Sequence, residues 1–212
     1  MIFKSFGCSF VWGSELPDET PGIRHSNLTW PALLAQEFGA EYQCRAWPGR
    51  GNLFIAQQIL QHAQPGDTIL VNWTYIDRFD YVNPDNQQDW QTCRPSGAGP
   101  KSDLYYRNFH SQYRDKITNL MTISHCVQQL ARQDIRCWMS YHDHLLFETE
   151  WHTDRAVAQM QQYLRPWLHT FDGDNFVEWA GQQGHAKTNQ GHLLESGHRA
   201  VADHLLKTAY FQ

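Results

Sequence analysis

Short apolar runs alternate with amphipathic stretches along the whole chain. Ile2-Phe3-Lys4-Ser5-Phe6 suits a strand, and the polar stretch Ser14–Ser26 with its two prolines suits a loop. Thr29 reads as an N-cap with Pro31 in the first turn; Trp30, Leu33, Leu34 and Phe38 then mark one helical face that stops at Gly39. Glu41–Arg45 suits a second strand. Asn52 caps a helix over Leu53–His62, with Ile55 and Ile59 turned inward, and Pro65-Gly66 breaks it. Ile69–Trp73 is mostly apolar, the mark of a central parallel strand covered on both faces. Ile76–Lys101 is long, polar and rich in Asn, Gln, Pro and Gly, which predicts a lid or a poorly ordered loop. A helical period runs from Tyr105 to Arg132, and Ile135–Tyr141 is a strand. Thr153 caps a helix through Tyr163, Phe176–Trp179 fits a short fifth strand, and Ser196 caps a last helix carrying Val201, Leu205 and Leu206. Strands and helices in this alternation predict a parallel α/β sandwich formed by residues 1–212 as one domain.

Composition narrows the function classes. Of 212 residues, 41% are hydrophobic and 18% charged, as in a globular chain with a substantial core. The net charge of −5 argues against nucleic-acid binding, which calls for a basic face. No apolar run reaches membrane-spanning length, and the start lacks the plan of a signal peptide. Cys8, Cys44, Cys93, Cys126 and Cys137 are odd in number and form no CxxC pair, so they read as reduced thiols of a cytoplasmic protein. Gly49-Arg50-Gly51 lacks the spacing of a dinucleotide or phosphate loop, and no cofactor is expected.

Candidate chemistry lies at the two ends of the chain. In Gly7-Cys8-Ser9-Phe10-Val11-Trp12-Gly13, Ser9 leaves the first strand at a sheet edge where open α/β folds bind ligands; it is a nucleophile there, or it merely caps a turn. Asn189-Gln190-Gly191-His192 precedes the last helix, and right-handed crossovers bring that loop to the same edge. A serine beside a histidine is the minimum equipment for acyl transfer through a covalent intermediate. His142, His144 and His152 offer a metal set, against which stands a polar loop beside the cleft. Arg78 suits an anionic substrate or a surface ion pair, and Trp12, Trp47 and Trp73 suit a sugar face or the core. Cys8 reads as a small buried neighbour of Ser9.

These motifs together resemble the SGNH/GDSL hydrolases, in particular a branch opening on Gly-Cys-Ser-Phe. Gly7–Gly13 resembles the nucleophile motif, Ala46-Trp47-Pro48-Gly49 with Asn52 the second motif, and Asn189–His192 followed by Gly197-His198 the last. The resemblance implies a flavodoxin-like three-layer α/β/α sandwich with a sheet of about five strands in the order 2-1-3-4-5. It implies hydrolysis of a carboxylic ester, such as O-acetyl on a sugar, by Ser9 as nucleophile and His192 as base. The amides of Ser9 and Gly49 would face the oxyanion. Two positions depart from the pattern. Asn72-Trp73-Thr74-Tyr75-Ile76-Asp77 holds no Gly-x-Asn, which leaves the side-chain oxyanion donor missing or replaced by Thr74 or Asn72. Asn189 stands where the family has the aspartate that orients the histidine, which points to a Ser9–His192 dyad. Trp47, Asn52, Trp73, Arg78 and His142 are the expected contacts to a small-molecule or glycan ester. The rival expectation is a binding or structural protein that keeps the fold and has lost the chemistry; the oligomeric state stays open.

Overall fold

The computed structural model describes residues 1–95, 97, 99–208 and 210–211. Five parallel strands form the main sheet: β1 (Ile2–Phe6), β2 (Glu41–Cys44), β3 (Thr68–Trp73), β6 (Arg136–Tyr141) and β7 (Leu168–His169). Their order is β2-β1-β3-β6-β7, the expected 2-1-3-4-5 arrangement, so the sequence of strands reverses direction of travel between β1 and β3. Ligands of open α/β sheets bind at the carboxyl ends of strands beside such a reversal. β3 is buried at every position, as its apolar composition requires.

Two hydrophobic layers cover the sheet. On one side Ile55 and Ile59 of α3 (Asn52–His62) pack with Leu120, Ile123 and Val127 of α5 (Gln112–Arg132). On the other, Leu33 and Leu34 of α2 (Trp30–Glu37) pack with Phe176 of α7 (Phe176–Gln182) and Val201 and Leu205 of α8 (Glu195–Leu206). Lys4, at the edge of the sheet core, is neutralised by Asp67 at 2.7 Å. Among the described residues no helix is long and apolar enough to cross a membrane, and all five cysteines are free thiols.

Three expected elements differ. Phe176–Trp179 is the start of α7, not a strand, because the Asn175 side chain accepts from the amides of Val177 and Glu178 and caps a helix. The fifth strand is instead the two-residue β7, paired with Met139 and Ser140 of β6. The helical pattern from Tyr105 is two helices, α4 (Pro100–Asn108) and α5, with Ser111 capping the second. The supposed loop Ile76–Lys101, of which Ser96 and Ala98 lie outside the described residues, contains an antiparallel hairpin. Its strands β4 (Phe79–Asn83) and β5 (Asn86–Cys93) meet through a Pro84-Asp85 turn. Asp80 roots this hairpin to α3: its carboxylate accepts from the amides of Gly51 and Phe54 and from the Thr92 hydroxyl.

Candidate active site

The serine is presented by a single helical turn. A Cβ on Gly7 would lie 2.5 Å from Val11 Cγ2 and 3.2 Å from the Asn72 carbonyl, so glycine is what lets β1 run into α1 (Ser9–Trp12) at this separation from β3. Gly13 closes the turn at φ 81°, with its amide donating to the Ser9 carbonyl. Glu15 follows at φ 70°, a left-handed conformation that costs a non-glycine residue about 1 kcal/mol or more. From this position its carboxylate reaches the serine's partner, His192.

The Ser9 hydroxyl lies 2.9 Å from His192 Nε2, and the Glu15 Oε2 atom lies 2.5 Å from His192 Nδ1. A carboxylate at Nδ1 fixes the proton on that nitrogen, which leaves Nε2 to accept from Ser9. Thr188 holds both ends of the arrangement. Its hydroxyl donates to Glu15 Oε2 at 2.6 Å, and its Oγ1 accepts from the His192 amide at 3.2 Å. The hydrogen bond from His192, followed by that from Thr188, holds the Glu15 carboxyl below its usual range. His192 is buried and sits edge-on to Phe10, with ring centroids 5.0 Å apart.

These side chains open on a cleft of about 570 Å³ whose walls include Ser9, Gly49, Tyr75 and His192. The turn carrying Gly49 is tied to the serine's strand by the Trp47 amide, which donates to the Gly7 carbonyl at 3.1 Å. Among the described residues, neither the Ser9 amide nor the Gly49 amide donates to an acceptor within the protein.

Several expected site residues lie elsewhere. Asn189 is exposed and makes no hydrogen bond to His192; the position at Nδ1 is taken by Glu15, from the loop after α1. Thr74 is buried, with its amide donating to Asn52 Oδ1 and its hydroxyl to Cys8 Sγ, so it faces away from the cleft. Asn72 is fully buried and donates to Ser140 Oγ. Asn52 is likewise internal: its Nδ2 donates to the Thr74 carbonyl and to Asn119 Oδ1, which clasps α3 to the end of β3. Trp73 is a fully buried core residue. Trp47 is part-exposed but packs on Trp12 and is not a wall of the cleft. His142 lies beneath the cleft, stacked on Phe10 at 4.3 Å, with Nε2 2.8 Å from the Tyr75 hydroxyl. Burial pushes its pKa down to about 3, so it is neutral. Arg78 does line the cleft.

The metal reading is not supported as a set, for His144 instead meets Glu178 at 2.8 Å and His152 packs near Tyr113. Sequence reasoning missed Glu15, Thr188, Tyr75, Arg50 and Arg94. For Glu15 a signal existed: with Asn189 where an aspartate is expected, the histidine needs an acid from elsewhere, and the loop after Gly13 holds Glu15, Asp18 and Glu19.

The five-stranded parallel sheet flanked by helices is the fold of the SGNH/GDSL hydrolases. No model of a known protein family matches the chain. Among solved structures it is similar to a lipolytic-family G-D-S-L protein from Desulfitobacterium hafniense DCB-2, with a TM-score of 0.51 and 9% identity over 96% of this chain and 97% of that one. It is similar to the psychrotrophic esterase EstA from Pseudoalteromonas sp., with a TM-score of 0.50 and 11% identity over 96% and 93%. A family 2 carbohydrate esterase with a carbohydrate-binding domain from Corynascus thermopiles (Myceliophthora fergusii) matches at a TM-score of 0.55 and 15% identity, over 97% of this chain and 64% of that one. At these identities the likeness is one of fold.

Proposed function

We propose that the protein is a serine esterase that hydrolyses a small acyl ester through an acyl-enzyme intermediate. The observation that carries this reading is the Glu15–His192–Ser9 chain of hydrogen bonds opening on a cleft. The esterases among proteins of this fold support it.

In the first half-reaction Ser9 Oγ attacks the acyl carbon while its proton passes to His192 Nε2. The imidazolium that forms is stabilised by the Glu15 carboxylate. Negative charge on the former carbonyl oxygen faces the unpaired amides of Ser9 and Gly49, a contribution that reaches several kcal/mol in preorganised sites (about 3–4 per donor at most). The intermediate collapses, the C–O bond to the alcohol breaks, and His192 returns the proton to the leaving oxygen. Water then attacks the acyl-serine, giving its proton to His192, and collapse releases the acid and restores the Ser9 hydroxyl. With Thr74 and Asn72 turned inward, the site works with two amide donors and no side-chain amide of the third motif, which predicts slow turnover.

A fluorophosphonate probe tests the reading. An adduct at one equivalent, mapped by mass spectrometry to Ser9 and absent from Glu15→Gln or His192→Ala at the same exposure, is the expected result. Intact unlabelled protein after prolonged exposure points instead to a binding protein that retained the fold.

A further inference from the structure

Three arginines converge on the cleft that holds Ser9, and no acidic residue lines it: Arg50 from the turn after β2, Arg78 just before β4 and Arg94 just after β5. Among the described residues none of the three has a carboxylate within ion-pair distance. Asp80, an acid close to Arg50, spends its oxygens on Gly51, Phe54 and Thr92. No carboxylate pairs directly with these guanidinium groups, although Asp80 and Asp89 act on Arg50, and Asp77 on Arg78, from further off. Arg78 Nη1 donates to the Arg50 carbonyl at 2.8 Å, and its guanidinium lies over Tyr75 at 5.1 Å. Arg50 rests over Phe54 at 5.6 Å, and its Nε is buried with no hydrogen-bond partner.

Arg94 ties this charge to the reacting centre. Its Nη1 lies 3.3 Å from where a Cβ of Gly49 would stand, so the guanidinium abuts the glycine to which the esterase reading assigns an oxyanion donor. In a chain of net charge −5, three cations without a direct ion pair, in one concave site lined by no carboxylate, are a focused positive field. Their planar forks match the two oxygens of a carboxylate or phosphate. Such converging cations repel one another until an anion enters between them, so the cleft stands ready for a negatively charged group rather than for a neutral sugar acetate.

We propose that the ester this cleft takes carries an anionic group, a carboxylate or a phosphate, held by Arg50, Arg78 and Arg94 while Ser9 attacks the acyl carbon. This assignment of substrate class rests on the esterase reading above for its chemical step, but not for the binding of the anion. The hairpin β4–β5 supplies Gln91 and Thr92, its two flanking residues Arg78 and Arg94 supply two of the three cations, and together they act as the substrate-selecting wall.

The test compares 4-acetoxybenzoate and 4-acetoxyphenyl phosphate with methyl 4-acetoxybenzoate, which is neutral and otherwise alike. The parent protein is expected to show a kcat/KM at least tenfold higher for one or both anionic esters. Arg94→Gln, an exposed position, and Arg78→Lys are expected to shrink that ratio several-fold, and 0.5 M salt to shrink it further. Which anionic ester leads distinguishes carboxylate from phosphate. In parallel, calorimetry on Ser9→Ala protein titrated with 4-hydroxybenzoate and phenyl phosphate reads binding without turnover, and Arg94→Gln in that background is expected to weaken it at least fivefold. Equal kcat/KM for charged and neutral esters, or anion binding indifferent to Arg94→Gln, overturns the proposal while leaving the esterase reading intact. Arginine-dependent anion binding with no Ser9-dependent hydrolysis of any ester keeps the anion site and removes the esterase.

Discussion

Glu15 Oε2 and His192 Nδ1 lie 2.5 Å apart although 177 positions separate them in the chain. The acid that orients the histidine therefore comes from the loop behind the serine, not from the loop that carries the histidine. Glu15→Gln keeps the side chain's shape and removes its charge, which leaves the imidazolium unsupported and no longer fixes the proton on Nδ1. A fall in kcat of about two to four orders of magnitude is expected, as in other serine–histidine–acid sites. Steady-state kinetics on a chromogenic ester checks it. Asn189→Ala, at an exposed position without contact to His192, is expected to stay within twofold of the parent.

Thr188 is a positioning residue. Thr188→Val keeps its shape but removes the hydroxyl that binds Glu15 and accepts from the His192 amide. A tenfold or smaller loss in kcat with little change in KM is expected, with partial rescue by Thr188→Ser. A loss confined to KM would place Thr188 in substrate binding instead.

Asn52 joins three partners inside the protein, namely the Thr74 amide, the Thr74 carbonyl and Asn119. Asn52→Ala strands these buried groups, and a stability loss of about 2–4 kcal/mol follows. Urea unfolding measures it. A variant as stable as the parent would deny Asn52 its structural role and return it to the cleft.

Much of this fold can be read from the chain because its sheet is buried on both faces. The strands Ile2–Phe6 and Thr68–Trp73 are apolar enough to stand out, and Gly7 and Gly13 mark the turn that presents Ser9. The hairpin was obscured for the opposite reason. Asn86–Gln88 are exposed on a two-stranded ribbon whose polar side chains carry no core signal, although the spacing of Phe79 and Tyr81 before Pro84-Asp85 hints at one. Phe176–Trp179 is a short apolar run, and such runs fit strand and helix alike until a cap such as Asn175 decides. Ser9 and His192 were legible as a pair because family motifs name them. The chain offers Glu15, Asp18 and Glu19 as acids in the loop after Gly13 but does not single out Glu15, whose left-handed backbone sequence alone does not announce.

His142 and His198 are buried, and burial brings each down to a pKa of about 3. His198 Nδ1 accepts from the Trp30 amide at the start of α2, which requires that nitrogen to be unprotonated. Below about pH 6.5 the unfolded chain takes up a proton at each site and the folded chain does not, until about pH 3. More protons bound in the unfolded state means that stability falls as pH falls. The slope is up to about 1.4 kcal/mol per pH unit for each histidine. Urea midpoints between pH 7 and pH 4 are expected to decline accordingly, and His198→Asn, which offers an oxygen to the Trp30 amide, is expected to flatten the decline. An unchanged slope in that variant would contradict the assignment.

The most direct measurement is hydrolysis of p-nitrophenyl acetate by the parent and by Ser9→Ala, prepared identically and checked for equal folding by circular dichroism. Turnover in the parent with none above background in Ser9→Ala is the predicted result. Equal rates in the two proteins would remove Ser9, and with it the hydrolytic site, from the chemistry of this chain.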